Sequence, residues 1–393
     1  MGRPKRTDGG VTPVVPEAEV KRLMKEDKLG DLLDIGRAAA VKAVKGGLSD
    51  TAEDALELPR QWFTTGSEAL DRICRGYNPG GFPSGRVIHM AGEWSTGKSL
   101  ILDHIFKSCL DQGGVALCSE TEGSRDPHFA KAIGLNLGLL EIQRPESIEE
   151  MIDMGLAWHD AIRGKAAGRK VPIIWGIDSL DSTEAQKAQD SKGMSGSHGW
   201  QYGGGRSEAL GAGLRKIVQR TSRYPTTVVM LNQTRDNVGV MFGPAKRTSL
   251  GNPPHFYASL EIMLSAAFLG FKRADAPEIK LSAEAKKRLG LKEKESGHVI
   301  GRWIKARISK TKVAPTLEQT ADFYIDFQKG VNRWGGMPQL LLRQGLITMD
   351  PDGVEITYGD KVFPTQREFV KFLIENPEVI GPQSMVVSAR EEE

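Results

Sequence analysis

The eight residues Gly92-Glu93-Trp94-Ser95-Thr96-Gly97-Lys98-Ser99 fill the pattern G-x-x-x-x-G-K-[ST], and they constrain the fold of this chain more than any other segment. Such a loop wraps a phosphate chain in backbone N–H groups, and its glycines allow the tight positive-φ turns that the wrap requires. Lys98 is placed to reach the β- and γ-phosphates, and the Ser99 hydroxyl to ligate Mg²⁺. The flanks agree with the loop. Val87-Ile88-His89-Met90 reads as a short buried strand, and Leu102, Ile105, Phe106, Cys109 and Leu110 recur at helical spacing behind it. The helix N-terminus then points at the phosphates.

From about Trp62 to Phe327 apolar strands alternate with helical segments, the signature of a mostly parallel sheet with helices on its faces. The expected strands are 87–90, 115–119, 172–177, 226–231, 259–264, 302–309 and 321–326. Two long irregular stretches, 182–205 and 234–254, interrupt the pattern, and loops of that length inside a compact domain carry function or are disordered. Residues 269–298 form a mixed-charge insertion with a helix expected near 282–289. The expected organisation is a flexible N-terminus over 1–15, a helical oligomerisation arm and linker over 16–61, and a core over 62–333. A small α+β domain over 334–388 and a short acidic tail over 389–393 complete it.

The formal net charge of +3 is too small to argue for nucleic acid by itself. Cys74, Cys109 and Cys118 form no ligand or disulfide pattern, so packed thiols are expected. No apolar run approaches a membrane span, and the first residues, Met1-Gly2-Arg3-Pro4-Lys5-Arg6, lack the apolar core of a secretion signal, so the cytoplasm is the expected location and no membrane partner is expected.

Two further features bear on the phosphate loop. Ile173-Ile174-Trp175-Gly176-Ile177-Asp178 is an apolar run ending in an acid, which beside a phosphate loop would hold Mg²⁺ through water. Taken alone, Asp178 reads equally well as structural. The strand over 115–119 leads into Glu120-Thr121-Glu122, placing two acids at the mouth of the sheet where ligands bind in open α/β folds. Either could orient a water, and the spacing does not choose between them.

The order of motifs resembles bacterial RecA and phage UvsX-like recombinases. The segments Thr65–Asp71 and Gly80–Arg86 lead into the loop, and Glu122-Gly123-Ser124-Arg125-Asp126-Pro127-His128-Phe129-Ala130 resembles the catalytic-glutamate segment of that family. Asn232-Gln233-Thr234-Arg235 with Val238–Gly243 resembles the coupling glutamine and second DNA-binding loop, Phe256–Ser259 follows in order, and Lys310–Pro315 resembles the segment that carries two lysines across the subunit boundary. The resemblance implies a RecA-type phosphate-loop ATPase core using ATP and Mg²⁺, with Glu122 activating water and Asp126 and Phe129 touching adenine. It implies a homo-oligomeric helical filament on single-stranded DNA that pairs with double-stranded DNA, with Lys98, Gln233, Lys310 and Lys312 joining Glu122 in catalysis. The first DNA-loop region, 182–205, aligns only loosely.

The residues support the DNA reading on physical grounds. Arg206, Arg235, Lys246 and Arg247 supply cations, and Val238, Met241 and Phe242 supply apolar wedges among glycines, which suits sequence-indifferent strand binding. Arg302, Lys305, Arg307, Lys310 and Lys312 place five cations in eleven residues, and in strand geometry Lys310 and Lys312 share a face. A solvated basic edge strand would look the same. Two other functions use the same core: a hexameric helicase, and an ATP-binding recombination mediator that exchanges no strands.

Overall fold

The computed structural model describes residues 61–123, 125, 127–185, 203–221, 223–236, 246–248, 251–266, 268–269, 272–273, 301–314, 319–327, 329–351 and 353–381, together with Ile35, Ala38, Ala39 and Lys42, which are helical. Met1–Leu58 forms a unit apart from Pro59–Glu393. The expected arm over 16–61 therefore lies almost wholly outside the described residues, as do the helix near 282–289 and the tail.

In the larger unit, β1 (Trp62–Phe63) precedes α1 (Glu68–Arg75) and pairs with β2 (Phe82–Pro83). The core then runs β3 (Val87–Gly92), α2 (Lys98–Asp111), β4 (Val115–Glu120), α3 (Pro127–Ala132), β5 (Leu140–Gln143), α4 (Ile148–Arg163), β6 (Ile173–Asp178) and α5 (Gly203–Thr221). It continues through β7 (Thr226–Asp236), β8 (Lys246–Thr248), α6 (Pro253–Tyr257), β9 (Leu260–Ala266), the short hairpin β10 (Phe268–Leu269) and β11 (Lys272–Arg273), β12 (Gly301–Thr311), β13 (Thr320–Asp326) and β14 (Gly330–Val331). The main sheet has the order β14-β13-β12-β9-β3-β7-β6-β4-β5, with β8 paired to β7. Strands β9 to β5 of that order are parallel, and β12, β13 and β14 add an antiparallel meander at one side.

Patterning explains the split. β3 and β6 are buried along their whole length and read as continuous apolar runs, as strands covered on both faces do. In β12, Ile304, Ala306 and Ile308 are buried while Lys305 and Arg307 between them are exposed, the period-2 pattern of a strand with one solvated face. One apolar layer joins Ile88, Met90, Leu102, Phe106, Val229 and Phe323 under α1 and α2. The other joins Leu117, Trp175, Ile177, Val228 and Met230 under α4 and α5. Burying each such side chain contributes about 1.5–3 kcal/mol.

The seven expected strands are present. β5, a half-exposed edge strand, was not expected because Leu140-Glu141-Ile142-Gln143 is too short and polar to stand out. β7 runs to Asp236 instead of ending at Leu231, because β8 pairs antiparallel with Thr234, Arg235 and Asp236 and supplies a ladder for polar residues.

After Trp334 come α7 (Met337–Arg343), a three-stranded sheet of β15 (Thr348–Met349), β16 (Ile356–Tyr358) and β17 (Lys361–Phe363), and α8 (Gln366–Glu375). Met337, Leu340, Ile356, Phe369 and Leu373 join the first apolar layer. Arg72 of α1 is buried, with its pKa lowered to about 10 by that burial, and it donates to Gln344 Oε1 at 2.9 Å and to the Ile380 carbonyl at 2.5 Å.

Candidate functional site

The loop Gly92–Ser99 joins the C-terminal end of β3 to α2. Gly97 caps the helix at φ 78°, and a Cβ there would meet Ile325 Cδ1. The positive φ closes position 97 to other residues, and the tip of Ile325 would also have to move. A Cβ on Gly92 would come within 2.7 Å of the Leu264 carbonyl. The Thr96 hydroxyl donates to the Glu93 carbonyl at 2.8 Å, and the Lys98 ammonium folds back onto the Gly92 and Glu93 carbonyls at 3.1 and 2.7 Å. Burial lowers the Lys98 pKa, while Asp178, Glu122 and Asp181 pull it back up. Ser95 holds φ 56°, and Trp94 is 66% exposed at the loop's outer face.

Asp178 ends β6, which is not adjacent to the loop strand: β7 stands between β3 and β6. The link is made by α2, which crosses the sheet toward β6, where Gly176 leaves room for Leu102 and Phe106. Ser99 in the first turn of α2 hydrogen-bonds the Asp178 carboxylate. Burial raises the Asp178 pKa; the Ser99 bond and Arg125 oppose that, and Glu122 and Glu120 add to it. The hydroxyl of Ser99 and the carboxylate of Asp178 are hard oxygen donors at the mouth of a backbone cradle, a set that fits Mg²⁺. When bound there, Mg²⁺ neutralises charge on phosphate oxygens.

Glu122 lies just past β4. The Ser179 hydroxyl donates to Glu122 Oε1 at 2.5 Å, and Thr121 binds the same turn through Ser179 N–H at 3.0 Å and the Ser179 carbonyl at 2.7 Å. Glu120 instead ends β4 opposite Asp178 in register and is 5% exposed. Of the two acids, only Glu122 is exposed at the mouth. Phe129 sits half-buried on α3; Asp126 lies outside the described residues.

Gln233 stands directly opposite Gly92 in the parallel pairing of β7 with β3, so the strand carrying it shares a rung with the loop. Its backbone N–H donates to Asp181 Oδ2 at 2.5 Å. Arg235 is exposed two residues further along β7. Lys246 and Arg247 form the partner strand β8, and Val238, Met241 and Phe242 lie outside the described residues. Arg206, near the start of α5, donates to the Leu180 and Asp181 carbonyls at 3.3 and 2.9 Å.

The cations of β12, with Lys312 just past it, divide. Arg302, at the loop end of the sheet, approaches the Ser95 carbonyl at 3.4 Å. Lys310 and Lys312 lie at the other end. Lys310 pairs with Glu261, Glu261 with His89, and the Lys312 N–H donates to the Ser259 carbonyl at 2.8 Å. Three residues of β3 separate His89 from Gly92, about 10 Å along the strand, and two strand spacings add about 9.6 Å sideways. That is farther than a lysine side chain spans. The register shifts between Ile308 and Lys310, a bulge that turns Lys310 onto the face of Glu261 and α6. There its ammonium is held by the His255 and Phe256 carbonyls, the latter at 3.0 Å.

Two residues near the loop carried no separate signal in the sequence. Arg125 is half-buried between Asp103 and Asp178, 3.7 Å from the latter, with its guanidinium over the Phe106 ring; only its place inside the Glu122 segment hinted at it. Asp181, three residues past Asp178, had no pattern to mark it. Cys74, Cys109 and Cys118 are buried thiols, and burial pushes Cys109 up to about 12. Among the described residues no helix is long and apolar enough to cross a membrane.

Fold and loop together define a phosphate-loop nucleotide-binding protein with a RecA-type α/β core. Residues 41–269 match the family described as RecA N-terminal domain. The chain is 30% identical over 336 residues to the protein RecA of Leptospira meyeri, covering 85% of this chain and 76% of that one. It is 30% identical over 338 residues to that of Arthrobacter sp. (86% and 84%), and 29% identical over 338 residues to that of Thioalkalivibrio sulfidiphilus (86% and 86%). The chain belongs to the RecA family, and membership supports a recombinase-type function at the level of the family.

Proposed function

We propose that this chain is a DNA-dependent ATPase that assembles as a helical filament on single-stranded DNA and exchanges strands with homologous double-stranded DNA. One observation carries the reading. The phosphate loop with Lys98, Ser99, Asp178 and Glu122 occupies one end of the sheet, and the Lys310/Lys312 pair occupies the other, out of reach of its own loop. A pair of cations that serves a phosphate chain from there serves the chain bound by a second copy. It then stabilises transition-state charge as an arginine finger does, and turnover depends on assembly.

Within one protomer, Lys98 and the loop N–H groups hold the β- and γ-phosphates, and Ser99 and Asp178 hold Mg²⁺. Glu122, exposed and oriented by Ser179, accepts a proton from the attacking water. Phe129 and Asp126 take the adenine-contact roles that membership of the family suggests for them. Gln233, on the rung beside Gly92, senses the γ-phosphate and passes the change along the end of β7 into the segment that follows, where Arg235, Val238, Met241, Phe242, Lys246 and Arg247 engage DNA. Arg206 fixes the turn after β6 from the start of α5.

The test is ATP hydrolysis by the full chain with and without single-stranded DNA, paired with a joint-molecule assay on homologous duplex. Stimulated hydrolysis and joint molecules are expected. Hydrolysis indifferent to DNA defeats the ATPase reading. Stimulated hydrolysis without joint molecules reduces the protein to a mediator, and closed rings in electron micrographs make it a helicase.

A further inference from the structure

Glu261 is nearly buried on β9, and four side chains from three other elements converge on it. His89 of β3 meets Oε1 through Nδ1 at 2.8 Å. On Oε2, His255 of α6 approaches through Nδ1 at 2.7 Å and the Ser309 hydroxyl of β12 donates at 2.8 Å. Lys310, next in β12, adds its positive charge from the paired position, with Lys312 beyond it. Burial by itself would raise this carboxylate, but the bonds from His89, Ser309 and His255 outweigh it and hold the group ionised, down at about 2.

The geometry gives this carboxylate a mechanical task. Ser309 is the bulged residue, and without the bulge Lys310 would point to the side of Ile308, into the apolar core. The bond from Ser309 to Glu261 pins the bulge. The bond from His255 to the same oxygen pins α6, whose last carbonyls seat the Lys310 ammonium and whose Phe256 ring stands 70% exposed beside them. His89 ties the arrangement to β3, three residues before Gly92.

We infer that Glu261 is a positioning residue that aims Lys310 and the Phe256 edge at the adjacent protomer, so that turnover at one nucleotide depends on a carboxylate in the next copy that never touches it. The inference rests on the reading that Lys310 acts across the boundary.

Directional complementation separates the two claims. A Lys98→Ala protomer keeps its lysines and loses its loop; a Lys310→Ala protomer keeps its loop and loses a lysine. Glu261→Gln is expected to lower DNA-stimulated turnover by about 10- to 100-fold, the scale of a misplaced catalytic group, with KM for ATP unchanged. Mixed with Lys98→Ala, both Glu261→Gln and Lys310→Ala should recover turnover above the sum of the separate variants. His255→Ala and Ser309→Ala, each removing one partner near the exposed edge, carry the same test if the glutamine variant does not fold. Wild-type turnover in these variants overturns the inference. Rescue of Lys310→Ala without rescue of Glu261→Gln overturns it too and leaves the Lys310 reading standing. Failure to rescue Lys310→Ala removes the trans reading, and the positioning role with it.

Discussion

The backbone N–H of Gln233 donates to the carboxylate of Asp181 at 2.5 Å, tying the strand beside the phosphate loop to the turn that follows Asp178. The same carboxylate is one of three that act on the Lys98 ammonium. One acid therefore touches the residue proposed to sense the γ-phosphate and the field around the lysine that binds it.

Asp181→Ala leaves the Gln233 N–H without its acceptor in a half-buried place, which costs about 1–2 kcal/mol. The urea midpoint should fall accordingly. Asp181→Asn, which still accepts through its amide oxygen, should recover most of that loss. The ratio of DNA-stimulated to basal hydrolysis should fall in the alanine variant, because the strand carrying Gln233 is then less firmly set against the turn.

Glu122→Gln keeps a side chain that can accept from the Ser179 hydroxyl but cannot take a proton. Steady-state hydrolysis should drop by roughly 10²–10⁴-fold, the contribution of a positioned base. ATP-dependent retention of single-stranded DNA should persist, since the loop and Asp178 are untouched. Undiminished hydrolysis would remove Glu122 from the role of base.

Much of this was legible in the sequence because the informative residues are local. The loop 92–99 declares its strand and helix, and Asp178 ends a run of five apolar or glycine residues that cannot face water. What was not legible depends on pairing between distant segments. The extension of β7 past Leu231 needs β8 as partner, and residues as polar as Thr234 and Arg235 carry no strand signal of their own. The interposition of β7 between β3 and β6 is a matter of strand order, which no spacing encodes. Lys310 and Lys312 were expected on one face. Lys312 falls one residue past β12, and the face that Lys310 takes is set by a bulge at Ser309, a residue unremarkable in the sequence and informative only beside Glu261.

Asp71 gives stability a pH dependence of definite sign. It lies buried in α1, accepting from the Thr65 N–H at 2.8 Å and the Thr65 hydroxyl at 2.6 Å, with the Thr64 hydroxyl on its other oxygen. Burial outweighs those bonds and raises its pKa from 3.8 to about 7. A carboxyl whose folded pKa lies above its unfolded one favours the fold in its protonated form. Its contribution is complete below 3.8 and is lost as pH climbs through about 7. Asp71→Asn, which mimics the neutral acid, should flatten that decline. Urea midpoints of the two proteins measured across the interval should diverge steadily toward neutral pH in favour of the variant. Parallel curves would show that Asp71 is ionised throughout.

Arg235 offers the most direct test of the DNA surface, since it is exposed on β7 just before the segment 237–245 and in register with Arg247 of β8. A guanidinium that tracks phosphates releases counterions when it binds, so its removal changes the salt dependence as well as the affinity. Arg235→Ala should weaken binding to single strands of unrelated sequence by a similar factor, and the slope of log K against log salt should become shallower by about 1. A change confined to particular sequences would assign Arg235 to base edges. An unchanged slope would place the strand elsewhere on the molecule. The nucleotide site serves as the internal control, because affinity for ATP without DNA should be the same in both proteins.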